Sequence, residues 1–100
     1  MINKHRVLEV LFDAVDSVNE LLDEDKQIAK SFDTVLIGDD SQLDSLGLIN
    51  FILAVEEKVA DEFNEIVVLA DETLFDLPER PFRSIDALAD YITNELRRRV

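Results

Sequence analysis

The segment from Ser45 to Phe63 limits the possible folds more than any other part of the chain. At helical spacing, its apolar residues occupy more than one face. The core stripe consists of Leu48, Phe51, Ile52, Val55, Val59 and Phe63. The outer stripe, on the adjoining face, consists of Leu46, Ile49 and Leu53. A helix packed on one core shows an apolar arc of a little over about 100°, so the outer stripe is either buried by another element or exposed for docking. A chain of 100 residues has few elements left to cover it, which favours docking.

Two further segments carry apolar residues every three or four positions and are predicted to be helices. The first runs from about Lys4 to Leu22, and the last is capped by Ser84. A short helix is expected at residues 70–75, before Pro78 and Pro81 interrupt the chain. These segments predict an all-α fold: a small four-helix bundle of three long helices and one short one. We expect residues 1–100 to form a single domain.

The connections between these helices are predicted to be loops. Residues 22–30 are interpreted as the frayed end of the first helix. Residues 31–38 are predicted to be a loop anchored in the core by Phe32, Leu36 and Ile37, with a β-strand as the alternative because Thr-Val-Leu-Ile has strand propensity. Its only candidate partner strand is 66–69, which we instead expect to cross under the bundle as a short apolar segment.

The charge of the chain restricts its partners. It has 23 acidic and 10 basic residues, for a formal net charge of −13. Binding to a phosphate backbone depends on Lys and Arg, so nucleic acid is not expected to be a partner, whereas basic proteins are. Cysteine is absent, which excludes disulfides and thiolate metal sites. No apolar run approaches the roughly 20 residues of a membrane span, and we expect a soluble cytoplasmic protein that does not bind membranes.

Ser45 lacks the surroundings of a catalytic nucleophile. The Gly-x-Ser-x-Gly pattern is missing because Leu43 occupies its first position. The single histidine, His5, lies at the start of another helix and is predicted to be a solvated residue without an acidic partner nearby in sequence. The basic run Arg97-Arg98-Arg99 suits the negative end of the last helix dipole.

The acidic loop before Ser45 raises the question of a metal site. It contains Asp39, Asp40 and Asp44, but an EF-hand loop needs glycine at its sixth position and glutamate at its twelfth. Counted from Asp39, those positions hold Asp44 and Asn50, so no metal site is predicted. Asp44 is instead suited to cap a helix that begins at Ser45. A phosphate on the serine oxygen is electrostatically favoured at such a helix N-terminus.

One run of the sequence reads Leu43-Asp44-Ser45-Leu46, followed by Leu48-Ile49 and then by Ala54-Val55-Glu56-Glu57. This run resembles the phosphopantetheine attachment region of acyl carrier proteins, in which an Asp-Ser-Leu triplet begins the second helix of a small four-helix bundle. The resemblance extends over most of the chain, from the long first helix to the last helix after Ser84. Two residues depart from the family pattern: Asn50 stands where many carriers have glutamate, and Gly47 replaces a polar residue.

The resemblance implies that Ser45 carries a 4′-phosphopantetheine arm, donated by coenzyme A and attached by a separate phosphopantetheinyl transferase. Asp44 and Leu46 would flank the attachment point. The arm would hold intermediates of fatty acid or polyketide biosynthesis as thioesters. The resemblance also implies a docking surface for basic patches on acyl-loading and acyl-transfer enzymes, formed by Leu46, Ile49, Leu53, Glu56 and Glu57.

On this interpretation the chain is a monomeric carrier and not an enzyme. The alternative is a carrier-like helical bundle that acts as a regulatory or structural protein-binding module without a prosthetic group.

Overall fold

The computed structural model describes residues 2–37, 45–69 and 81–99, apart from the side chains of Lys26 and Ser45. These residues form three α-helices, α1 (Lys4–Asn19), α2 (Ser45–Phe63) and α3 (Ile85–Arg98), and a short 3-10 helix (Glu24–Lys26). The described ranges contain no β-strand, only an isolated bridge between Val35 and Ser84. The expected all-α class is therefore confirmed. The short helix expected at residues 70–75 lies outside the described ranges.

The first helix begins close to its expected position and ends earlier than expected. Asn3 caps it, with its side-chain oxygen accepting a hydrogen bond from the backbone N–H of Arg6 at 2.9 Å. The helix ends at Asn19 because the Asn19 amide pairs with the backbone of Ile28, donating to its carbonyl at 3.0 Å and accepting from its N–H at 2.9 Å. Ile28 is thereby buried as a core anchor that the sequence analysis missed.

α1 lies between the other two helices and packs against both. Its buried face consists of Val7, Val10, Leu11, Ala14, Val15 and Val18. Four residues of the α2 core stripe, Phe51, Ile52, Val55 and Val59, are buried in the same core, and the other two, Leu48 and Phe63, are partly buried against it. α3 contributes Ile85, Leu88, Ala89, Ile92 and Leu96. The central helix is therefore α1.

The loop before Gly38 is anchored differently from the sequence expectation. Only Leu36 is buried, whereas the side chains of Phe32 and Ile37 are exposed, so the prediction that these two are core anchors is wrong. The loop is held mainly by its backbone, because the N–H of Ile85 donates to the carbonyl of Thr34 at 3.0 Å and the N–H of Asp86 to that of Phe32 at 2.8 Å. This loop thus satisfies donors in the first turn of α3.

The start of α3 agrees with its predicted cap. The Ser84 hydroxyl accepts a hydrogen bond from the backbone N–H of Ala87 at 3.1 Å. Lys4 connects this end of α3 to α1 through ion pairs with Asp86 at 2.5 Å and Asp90 at 3.0 Å. Hydrogen bonds to these two carboxylates raise the pKa of Lys4 above its usual 10.5, and the bond to Asp86 has the larger effect.

At the C-terminal end of α2 the chain reverses direction through Asn64, whose φ of 55° is in the left-handed region that asparagine tolerates. Residues 65–69 then run along the core as a segment whose side chains alternate, Val67 and Leu69 being buried and Ile66 and Val68 exposed. The apolar segment that was expected to cross under the bundle therefore buries two of its four apolar residues and exposes the other two. Among the described residues, no helix is long and apolar enough to cross a membrane.

Candidate functional site

The candidate attachment residue, Ser45, is the first residue of α2, as the sequence analysis predicted. The N–H groups in the first turn of a helix lack intrahelical acceptors, and the aligned peptide dipoles make this end positive. A phosphate group linked to residue 45 is therefore in a favourable electrostatic position. Asp44, the expected cap, lies outside the described residues. Gly47 is buried in this first turn, whereas Leu46 beside it is exposed.

The outer stripe of α2 is exposed to solvent. The exposed fractions are 68% for Leu46, 47% for Ile49 and 50% for Leu53. By contrast, Phe51 and Val55 on the core stripe are fully buried. The two apolar faces inferred from helical spacing therefore have different environments in the structure. The outer stripe extends for more than two turns from the helix end that carries Ser45.

The two glutamates assigned to the docking surface differ from each other. Glu57 is exposed. Glu56 is partly buried, and its Oε2 accepts a hydrogen bond from the backbone N–H of Leu69. Glu56 thus holds residues 65–69 against α2 in addition to the docking role suggested for it. The sequence carried no local signal for this bond, because the two residues are 13 positions apart.

The C-terminal end of α2 is tied to the start of α1. The guanidinium of Arg6 donates to Glu62 at 2.9 Å and lies over the ring of Phe63, 4.9 Å from its centre. His5, next to Arg6, is therefore near the opposite end of α2 from Ser45. A helix of 19 residues is about 28 Å long, so His5 cannot act as a base for Ser45.

His5 is exposed, as predicted, but it has an acidic partner that the sequence analysis overlooked. Its Nε2 lies 3.1 Å from a carboxylate oxygen of Glu9, four residues further along α1. Residues at this spacing face each other on a helix. His5 therefore lies on the surface beside a carboxylate of its own helix. The expectation that the chain is not an enzyme stays a prediction.

The acidic residues do not form a metal site within the described ranges. No group of three or more His, Cys, Asp or Glu side chains there could hold a metal ion. The loop carboxylates Asp39, Asp40 and Asp44 lie outside those ranges, so the expectation of no metal at that loop stays a prediction.

Comparison of the chain with protein-family models, curated proteins and solved structures finds no match.

Proposed function

We propose that this protein is an acyl carrier protein, with a 4′-phosphopantetheine arm attached to Ser45. The observation that supports this proposal best is the position of Ser45 as first residue of a helix whose neighbouring face exposes Leu46, Ile49 and Leu53. A modifying enzyme that reaches Ser45 also meets this apolar surface. None of the three residues belongs to the buried core, to which α2 contributes residues of its core stripe.

The chain's own residues position and present the cargo. The N-terminal end of α2 stabilises the negative charge of a phosphodiester on Ser45, flanked by Asp44 and Leu46. When bound, the arm supplies the thiol that carries acyl groups as thioesters, which this chain cannot supply because it has no cysteine. Because His5 is near the other end of α2, activation of the serine is left to a phosphopantetheinyl transferase with its own base.

Docking to partner enzymes combines apolar contact with charge. Burying the exposed side chains of the outer stripe favours association by about 25 cal/mol per Å² of apolar surface. Glu57 borders the stripe, and the net charge of −13 attracts basic patches and raises the association rate. The proposed partners are the transferase and acyl-loading and acyl-transfer enzymes. We further propose that the protein is a monomer and that a short helix at residues 70–75 makes its fold a four-helix bundle.

Intact-mass measurement tests this function. The protein is incubated with coenzyme A, magnesium and a broad-specificity phosphopantetheinyl transferase, and the expected gain is one phosphopantetheinyl group. Ser45→Ala is expected to gain nothing, whereas Ser31→Ala, which changes a loop serine hydrogen-bonded to Asp33, is expected to gain as much as the wild type. An unmodified wild type, or a modified Ser45→Ala variant, rules out the carrier function and favours a binding module without a prosthetic group.

A further inference from the structure

Residues 65–69 present two exposed apolar side chains in a fixed position. Ile66 is 74% exposed and Val68 61% exposed, while the residues that alternate with them are buried. Both ends of the segment are held by side chains, one from α2 and one from the residue that follows α3. Glu56 of α2 accepts from the N–H of Leu69, and Arg99, just after α3, donates to the carbonyl of Ile66 and lies 3.7 Å from Glu65. The exposed pair is therefore held in a defined place before any partner arrives.

The position of Glu56 shows where this pair lies relative to the outer stripe. Ile49, Leu53 and Glu56 follow one another at intervals of four and three residues, so they share one face of α2. Because Glu56 bonds to Leu69, residues 65–69 run beside the same face that carries the outer stripe. Val68 is exposed and precedes Leu69, which Glu56 holds about one helical turn beyond Leu53, the last residue of the outer stripe.

We infer that the docking surface of α2 continues onto Ile66 and Val68, and that both regions contact the same partner. That partner is a protein surface with apolar side chains bordered by Lys and Arg, of which a phosphopantetheinyl transferase is the test case. This inference rests on the proposed carrier function.

Interface size supports this continuation. A stable specific interface buries about 800 Å² on each partner, from about 20 to 30 residues. The three side chains of the outer stripe are too few to supply that area. Ile66 and Val68 extend the apolar surface next to it.

Charge determines the kind of partner. Glu57 and Asp61 are exposed on α2, and Glu62 and Glu65 carry further carboxylates at its C-terminal end. Arg99, which donates to the segment at Ile66, is already paired with Glu65. A partner surface with Lys and Arg around its apolar residues complements this border, whereas a second copy of a chain with a net charge of −13 is repelled.

Transfer kinetics test the inference. The Ile66→Thr/Val68→Thr double variant keeps β-branched side chains and removes part of the apolar surface. Its KM with a phosphopantetheinyl transferase and coenzyme A is expected to rise about fivefold, with kcat and the final mass gain unchanged. The matched control is Phe32→Thr, since Phe32 is 59% exposed and lies at the first turn of α3, the opposite end of that helix from Arg99. A KM changed less than twofold, or by the same factor as in the control, overturns the inference while the carrier function stands.

Hydrogen–deuterium exchange of the wild type provides a second measurement that needs no variant. Peptides that cover residues 64–69 are expected to exchange more slowly when the transferase is bound, together with those that cover 46–53. Slower exchange at 46–53 alone overturns the inference and keeps docking on α2. An absence of mass gain in the wild type removes the carrier function and this inference together.

Discussion

The Glu56 carboxylate accepts a hydrogen bond from the backbone N–H of Leu69, joining the helix that begins at Ser45 to the segment that follows it. This bond closes a loop of residues that includes the turn at Asn64. It also holds in place the segment that exposes Ile66 and Val68. An acidic residue on α2 therefore fixes the position of a segment that follows the helix.

Replacing Glu56 by alanine is expected to lower the free energy of unfolding by about 1.5 to 3 kcal/mol, because it removes a charge-assisted hydrogen bond and leaves the Leu69 N–H without this acceptor. Glu57→Ala, at an exposed neighbouring position, is expected to change it by less than about 0.5 kcal/mol. Urea denaturation measures both. Equal losses for the two variants would contradict the structural role of Glu56.

The two faces of α2 are expected to respond differently to truncation. Phe51→Ala removes a fully buried ring and is expected to lower the free energy of unfolding by about 3 to 5 kcal/mol. Leu53→Ala, two residues away on the exposed face, is expected to change it by no more than about 0.5 kcal/mol. Thermal or urea unfolding followed by circular dichroism compares them. A large loss for Leu53→Ala would mean that the outer stripe is part of the core.

The outer stripe is expected to affect binding to a partner enzyme and not the stability of the fold. Leu53→Ser should raise the KM of a phosphopantetheinyl transferase for this protein about threefold to tenfold, since apolar contact with the partner is lost. Phe32→Ser changes an equally apolar exposed side chain on the loop at α3 and is expected to leave the KM unchanged. Steady-state kinetics measure the KM of the transferase for both variants. An equal rise in KM for the two would show that α2 is not the docking helix.

The capping serine of α3 is expected to contribute about 1 kcal/mol to stability. Ser84→Ala removes the acceptor for the Ala87 N–H, whereas Ser84→Asn keeps a side-chain oxygen in reach of it. Chemical denaturation should therefore find the alanine variant less stable than wild type and the asparagine variant close to it. If alanine and asparagine are equally destabilising, the hydroxyl is not acting as a cap.

The ion pairs of Lys4 predict a dependence of stability on pH. Asp86 and Asp90 raise the pKa of Lys4 in the folded state above its unfolded value of 10.5. A raised pKa stabilises the fold while the amine is protonated in both states, and this contribution is lost as pH rises above 10.5 through the folded-state pKa. At neutral pH the wild type is expected to have a higher melting temperature than Lys4→Met. In strong alkali the two melting temperatures are expected to converge. A difference independent of pH would show that these pairs do not stabilise the fold.

Local patterns in the sequence predicted much of the fold. The start and end of α2 and the cap of α3 agree with the structure, because helical spacing and capping involve residues within a few positions of each other. Spacing also separated the outer stripe from the core stripe, and the shortness of the chain favoured the exposure that the structure shows. The end of α1 was placed too late, since Asn19 stops the helix by pairing with Ile28, nine residues away.

The loop before Gly38 shows why apolar character alone is a weak guide to burial. Phe32 is larger and more apolar than its neighbours, yet its side chain is exposed and its carbonyl is the group that holds α3. Leu36 is the residue that reaches the core. Which residue of a short loop turns inward depends on the backbone bonds that the loop makes with another element, and these are absent from the local pattern.

By itself, the sequence determined that α2 begins at Ser45 and has two apolar faces, because helix geometry repeats over neighbouring residues. Only the tertiary structure decided that α1 is the central helix, that Glu56 holds residues 65–69, and that Ile66 and Val68 are exposed while Val67 and Leu69 are buried. The physical reason is that these relationships join groups far apart in the chain. Such groups meet only when the helices have packed and the remaining backbone donors and acceptors have found partners.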